Sequence, residues 1–184
     1  LLKRIERGKY CRHKFNDEWV ISNYLVNDGV VAYWSALNRH GLTEQFANTI
    51  FVQTIKEKGE KNVFGVNYKF VRVKKRKLIG YKMYGYGNNQ YRMTDIEKTI
   101  VDCFDLPEYS GGYAELLRAF NSATLDANML IKYCKAIDNT AVTKRIAFLA
   151  EFLQKPDFEV FFDYARPLVN GKYNLLDPIG LDLG

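Results

Sequence analysis

The chain of 184 residues has few of several residue types, and each scarcity excludes something. There are three cysteines, Cys11, Cys103 and Cys134, widely spaced and without a Cys-x-x-Cys pair. That excludes a disulfide framework and a zinc site and points to a reducing cytosol. Proline occurs four times against 13 Tyr and 12 Phe. With 47% hydrophobic and 26% charged residues the composition is globular, excludes disorder and provides for an aromatic-rich core. No apolar run approaches the roughly 20 residues a membrane helix needs, and no apolar core follows the basic first residues as in a signal peptide. No repeat or low-complexity stretch is visible, so the expectation is a cytoplasmic protein with no membrane contact.

What is abundant is positive charge. Twenty-seven Lys and Arg against 21 Asp and Glu give a formal charge of +6 and a pI near 9.1, which favours polyanionic partners. Clustering says more than the total. Lys3, Arg4, Arg7 and Lys9 crowd around Gly8, and Tyr10 and Cys11 begin an apolar strand. Residues 1–15 therefore read as the wing end of a winged helix-turn-helix whose recognition helix would lie upstream, with Lys3, Arg4, Arg7, Lys9 and Arg12 as candidate DNA contacts. A wing tip reaches backbone or minor groove and sets register without reading base edges. A second patch, Lys69, Arg72, Lys74, Lys75, Arg76 and Lys77, is interleaved with Tyr68, Phe70, Tyr81 and Tyr84, a pattern suited to phosphate contact and stacking. The alternative for that run is a solvated turn between strands.

Periodicity then orders the chain. Asn16 or Asp17 caps a connecting helix over 16–29, and a second helix, Tyr33 to His40, stops at Gly41. Strand-like runs follow at 49–55, 63–73 and 79–86, suggesting a meander or small antiparallel sheet. In the second run Val66, Tyr68 and Phe70 face one way and Val71 and Val73 the other. Either both faces are covered or a bulge switches them, and helices over one face are expected. From Thr94 the period is helical, opening on a capping box of Thr94 and Glu97. Further helices begin near Tyr113 and Leu130, at a Thr140 cap and at Phe158; a strand over 173–176 and a tail over 179–184 complete the expectation of an α+β fold.

Nothing in these patterns builds a catalytic centre. Glu97 and Asp102 stand five residues apart, about 140° around a helix, and cannot share one metal unaided. Asp95 and Glu97 followed directly by Lys98 miss the spacing of a metal-dependent nuclease by one residue, with the lysine expected to point away. Ser35 and His40 lack helical registry for a nucleophile pair; Ser35 is expected on backbone or a neighbouring helix and His40 on a helix-terminal carbonyl. No catalytic residue, metal or cofactor is expected. A metal-dependent nucleic-acid-processing enzyme and a protein-interaction module that masks a toxin are the alternatives.

Several segments in order resemble the AbiEi antitoxin family of type IV toxin–antitoxin systems: Arg7 to Tyr10; Ser35 to Leu37 with His40 to Thr43; Thr94, Asp95, Glu97, Thr99 and Asp102; Gly111 and Gly112; 145–151; and Tyr173, Leu175, Asp177 and Pro178. Ile96 stands where the family pattern has proline. The resemblance implies a transcriptional autorepressor of a phage abortive-infection operon, binding operator inverted repeats through an intact N-terminal winged helix. It also implies that 30–178 is a C-terminal antitoxin domain that helps neutralise a nucleotidyltransferase-like toxin.

Overall fold

The computed structural model describes residues 1–45, 48–172 and 174–179. The fold is α+β: among the described residues it has a two-stranded hairpin, a six-stranded mixed sheet and seven α-helices. The hairpin is β1 (Leu2–Glu6) and β2 (Lys9–Arg12). Helix α1 (Glu18–Leu25) follows, then β3 (Val30–Val31), α2 (Tyr33–Arg39), β4 (Thr49–Thr54), β5 (Lys61–Val63), β6 (Val66–Arg72), β7 (Tyr81–Tyr86) and β8 (Asn89–Thr94). Helices α3 (Ile96–Asp105), α4 (Tyr113–Ser122), α5 (Ala127–Ile137), α6 (Thr140–Phe152) and α7 (Glu159–Ala165) complete the chain. Of the strand expected over 173–176, Tyr173 lies outside the described residues and 174–176 are irregular; 180–184 of the expected tail also lie outside them.

The sheet is not a meander. Its order is β5-β6-β4-β3-β8-β7, with β4 parallel to β6 and β3 parallel to β8, and the other three pairings antiparallel. The run over 63–73 breaks because Phe64 and Gly65 both take positive φ, 53° and 90°. Two such residues between Val63 and Val66 make the type I′ geometry that matches strand twist. Hence β5 turns back at the edge and β6 fills the place beside β4. Around β4 and β6 both faces of the sheet are covered and no bulge is needed, whereas the edge strand β7 is exposed on both faces. Val71, Val73 and Phe51 enter the core beneath α2–α7, while Tyr68, Ile50 and Val52 enter a second core with α1 and the hairpin's Ile5.

Local capping follows the sequence with two corrections. Asp17 caps α1, accepting from the Trp19 and Val20 amides at 3.1 Å each, a type of contact worth about 1 kcal/mol. Helix α6 is capped by Asn139 on the Ala141 amide, one residue before the expected Thr140. The capping box of Thr94 and Glu97 does not form. Asp95 is the N-cap of α3, taking the Lys98 amide at 2.9 Å, because Thr94 ends β8 and its hydroxyl is tied to Thr99. Glu97 instead accepts the Asp126 amide at the start of α5.

Helix α3 is buried on nearly every side, from Lys98 to Phe104. It packs among α2, α4, α5 and α6 and reaches β4 through Asp102. A helix in that position is expected to be apolar all round, so its polar residues need partners inside the protein. Lys98 has no exposed surface and pairs with Asp102 one turn on; Asp102 also accepts from Gln53 of β4 at 2.7 Å. Tyr133 of α5 donates to Asp95 at 2.5 Å.

Candidate nucleic-acid interface

In the hairpin, Arg4 lies directly across from Tyr10, and Leu2 across from Arg12. Side chains alternate between faces of a strand, so these four share one face. That face is in solvent: Leu2 is 69% and Tyr10 57% exposed, and both arginines are exposed. Arg7 is exposed in the turn beside Gly8, whose φ of 77° the turn requires. Among the described residues Arg4, Arg7 and Arg12 form no ion pair. The result is an open surface on which Arg4 and Arg12 accompany the Tyr10 ring, with Arg7 exposed at the adjoining turn.

Lys3 and Lys9 occupy the opposite situation. Lys3 sits 3.4 Å from the centre of the Phe64 ring. Lys9 donates to the Leu25 carbonyl at 2.9 Å, a cation at the end of α1, and pairs with Glu6 at 2.7 Å. Lys58 approaches the same carboxylate at 3.1 Å. Burial raises the Glu6 pKa, but the bonds and charges of Lys9 and Lys58 outweigh it and hold the carboxyl below its ordinary value. With Ile5 in the core, these contacts fix the hairpin on the body and turn its other face outward. Within the expected wing set, Lys3 and Lys9 position the hairpin and the three arginines are free.

The basic run from Lys69 to Lys77 is mostly paired within the fold, through three solvent-exposed pairs and one largely buried pair. Lys69 pairs with Glu60 at 3.3 Å, Arg72 with Glu57 at 3.6 Å and Arg76 with Asp138 at 3.1 Å. Arg76 also donates to the Ala136 carbonyl, and Lys77 rests on Asp105, whose side chain is only 6% exposed. A short 3-10 turn over Lys75–Lys77 thereby docks against α5. Within this run only Lys74 and Lys75 are exposed without an ion pair to a described residue. Of the interleaved aromatics, Tyr68 is buried on the Glu18 carbonyl, Phe70 and Tyr84 are half-buried and Tyr81 is exposed.

The residues weighed for catalysis are placed with equal clarity. Ser35 takes the Phe51 amide at 2.9 Å and lies 3.3 Å from the Thr49 carbonyl. The His40 ring meets the Thr94 carbonyl at 2.8 Å, a strand end rather than the helix terminus expected for it. Burial lowers its pKa below the ordinary 6.5, against the hydrogen bond to Thr94. Lys98 does not point away but inward to Asp102, whose own pKa burial raises despite the adjacent ammonium. The signal for that pair was the four-residue spacing of Lys98 and Asp102 on one helix face. Gln53 and Tyr133 gave no comparable signal, since their partners lie 49 and 38 residues away. Among the described residues no group of three or more His, Cys, Asp or Glu side chains gathers to hold a metal ion, and no helix is long and apolar enough to cross a membrane. Compared with known proteins, the sequence matches no family model and no curated protein.

Proposed function

We propose that this chain belongs to a non-enzymatic, nucleic-acid-binding regulator, in which the outer face of the hairpin grips the phosphate backbone. The observation that carries this reading is the unpaired, solvent-facing set of Arg4 and Arg12 beside Tyr10 with Arg7 at the adjoining turn, held in place by Lys3, Lys9 and Ile5 beneath. Guanidiniums meet phosphate oxygens in bidentate geometry, and a neighbouring phenol adds a polar or stacking contact. Such contacts give affinity and register but no base sequence. The resemblance to AbiEi antitoxins extends the proposal: a cytoplasmic autorepressor on operator repeats, with specificity from an upstream recognition helix, and a C-terminal domain that neutralises a nucleotidyltransferase-like toxin. Binding performs each of these roles, with no cofactor.

Fluorescence anisotropy of the chain on duplex DNA, repeated across salt concentrations, tests the hairpin. Each phosphate contact contributes a slope of about −0.9 in log affinity against log salt. Replacing Arg4 and Arg12 by Ala together flattens the slope by about 1.8 if each makes one contact. A slope identical to that of the unaltered chain rejects the hairpin as the interface.

A further inference from the structure

A second surface lies at the far end of the chain. Between α6, α7 and the segment that follows them opens a cleft of about 660 Å³, within the range of binding sites. Its floor is apolar, with Phe148, Phe162, Val169 and Leu176. Phe148 is 53% and Val169 67% exposed, and Phe152, 73% exposed, stacks on Phe148 at 6.2 Å with 12° between the rings. These apolar side chains stand together in solvent at the cleft and offer a surface that a partner can cover.

The rim supplies the sign of the partner. Lys144, Arg145, Arg166 and Lys172 line the cleft beside one lining acid, Glu151; Arg166 is paired with Asp163 at 3.0 Å and Arg145 donates to the Leu175 carbonyl, so Lys144 and Lys172 chiefly set the sign. Lys144 is oriented in advance: its three hydrogen bonds, at 2.7 to 3.2 Å, end on Asn170, the Lys172 carbonyl and Asn174. All three are neutral oxygens, so its position is fixed while no carboxylate among the described residues pairs with it. From these observations we infer that the cleft is a docking groove for an acidic amphipathic helix of a partner protein. Lys144, Phe148 and Glu151 follow one face of α6 at helical spacing, a ridge of about 10 Å on which two turns of a partner helix lie. Apolar anchors enter between the phenylalanines and Val169, and carboxylates meet Lys172 at the edge, drawn by the charge that Lys144 keeps while its three donors hold the rim.

Other occupants fit less well. Nucleic acid calls for cations that track a backbone over an open face, whereas here they ring an apolar depression. A second copy of a chain that carries +6 would bring like charges together over a basic rim. The groove shares no residue with the hairpin and does not depend on its role.

The test uses the full chain and a fluorescein-labelled peptide of about 18 residues, Leu on one helical face and Glu on the other, so that it spans about 27 Å. Expected are saturable binding that weakens with salt and amide chemical-shift changes confined to α6, α7 and 166–176. Phe148→Glu combined with Lys172→Glu weakens the peptide at least about tenfold, or ~1.4 kcal/mol, and leaves the salt slope on DNA unchanged. The inference is overturned if the peptide fails to bind, if shifts fall elsewhere, or if the double variant binds equally well. It is also overturned if duplex DNA shifts the same amides, or if sedimentation shows a dimer that the double variant loses. Should that variant not fold, the shift map on the unaltered chain decides alone.

Discussion

The hairpin and the run from Lys69 to Lys77 are both dense in cations, yet they spend them differently. In the run, four of six side chains end on carboxylates, two of them fastening a turn to the helices behind it. In the hairpin, two lysines are drawn under the strand and three arginines are left outside. The lesson is that local charge density does not measure the charge available to a partner. What decides is whether the backbone turns the side chain toward an acid of the same molecule. Lys98, isolated in sequence and wholly buried, is the extreme case of a cation the fold consumes.

That contrast is sharpest where consumption is complete. Lys98→Ala leaves the Asp102 carboxylate buried without its partner, and a loss of about 3–5 kcal/mol is expected in urea unfolding. Lys98→Met with Asp102→Leu costs less than the single change, because no charge is stranded. A stable single variant would show that Asp102 protonates or reaches water freely, and would weaken the distinction between consumed and free cations.

Lys77→Ala is the next largest effect. It leaves Asp105 with the Asn139 amide but without its cation, and a loss of about 1–3 kcal/mol is expected, read as a lower urea midpoint at unchanged m-value. Lys74→Ala with Lys75→Ala, by contrast, leaves the midpoint in place. On DNA, the Lys74 and Lys75 double variant changes the salt slope less than the Arg4 and Arg12 double variant. The reverse ranking would assign the interface to the turn.

The smallest effects are titrations. The His40 pKa is lowered in the fold, so the unfolded chain takes up a proton first as pH falls through 6.5. Stability present above that value therefore declines as pH drops toward the folded pKa, and His40→Gln removes this step from a pH series of unfolding midpoints. Glu6 is held below its ordinary 4.5, so its contribution is full above 4.5 and lost as pH falls through the lower folded value. Hydrogen exchange at β1 and β2 reports that loss as undocking of the hairpin, which in Glu6→Gln is insensitive to pH in the same window.

Much of the architecture was legible because it rests on short-range rules. The cap at Asn16 or Asp17, which the structure gives to Asp17, the stop of α2 at Gly41 with its φ of 70°, and the breaks at Pro107, Gly111 and Gly112 each need only a few neighbouring residues. The alternation from Val66 to Val73 correctly left open a sheet covered on both faces. The capping box misled because Thr94 belongs to a strand, and a hydroxyl already bonded across that strand is not free to cap. The two-residue β3 was invisible, having no length over which a period of two can repeat.

The sequence by itself determined the α+β class, most element positions and the surplus of positive charge, because periodicity, capping chemistry and composition are local or additive. Only the tertiary structure decided which cations are consumed, that Lys98 turns inward to Asp102, that parallel pairs sit inside the sheet, and that an apolar groove opens beside α6. Those outcomes depend on groups tens of residues apart meeting within about 3 Å, and no pattern read along the chain specifies which of the possible meetings the packing of α3 among its neighbouring helices allows.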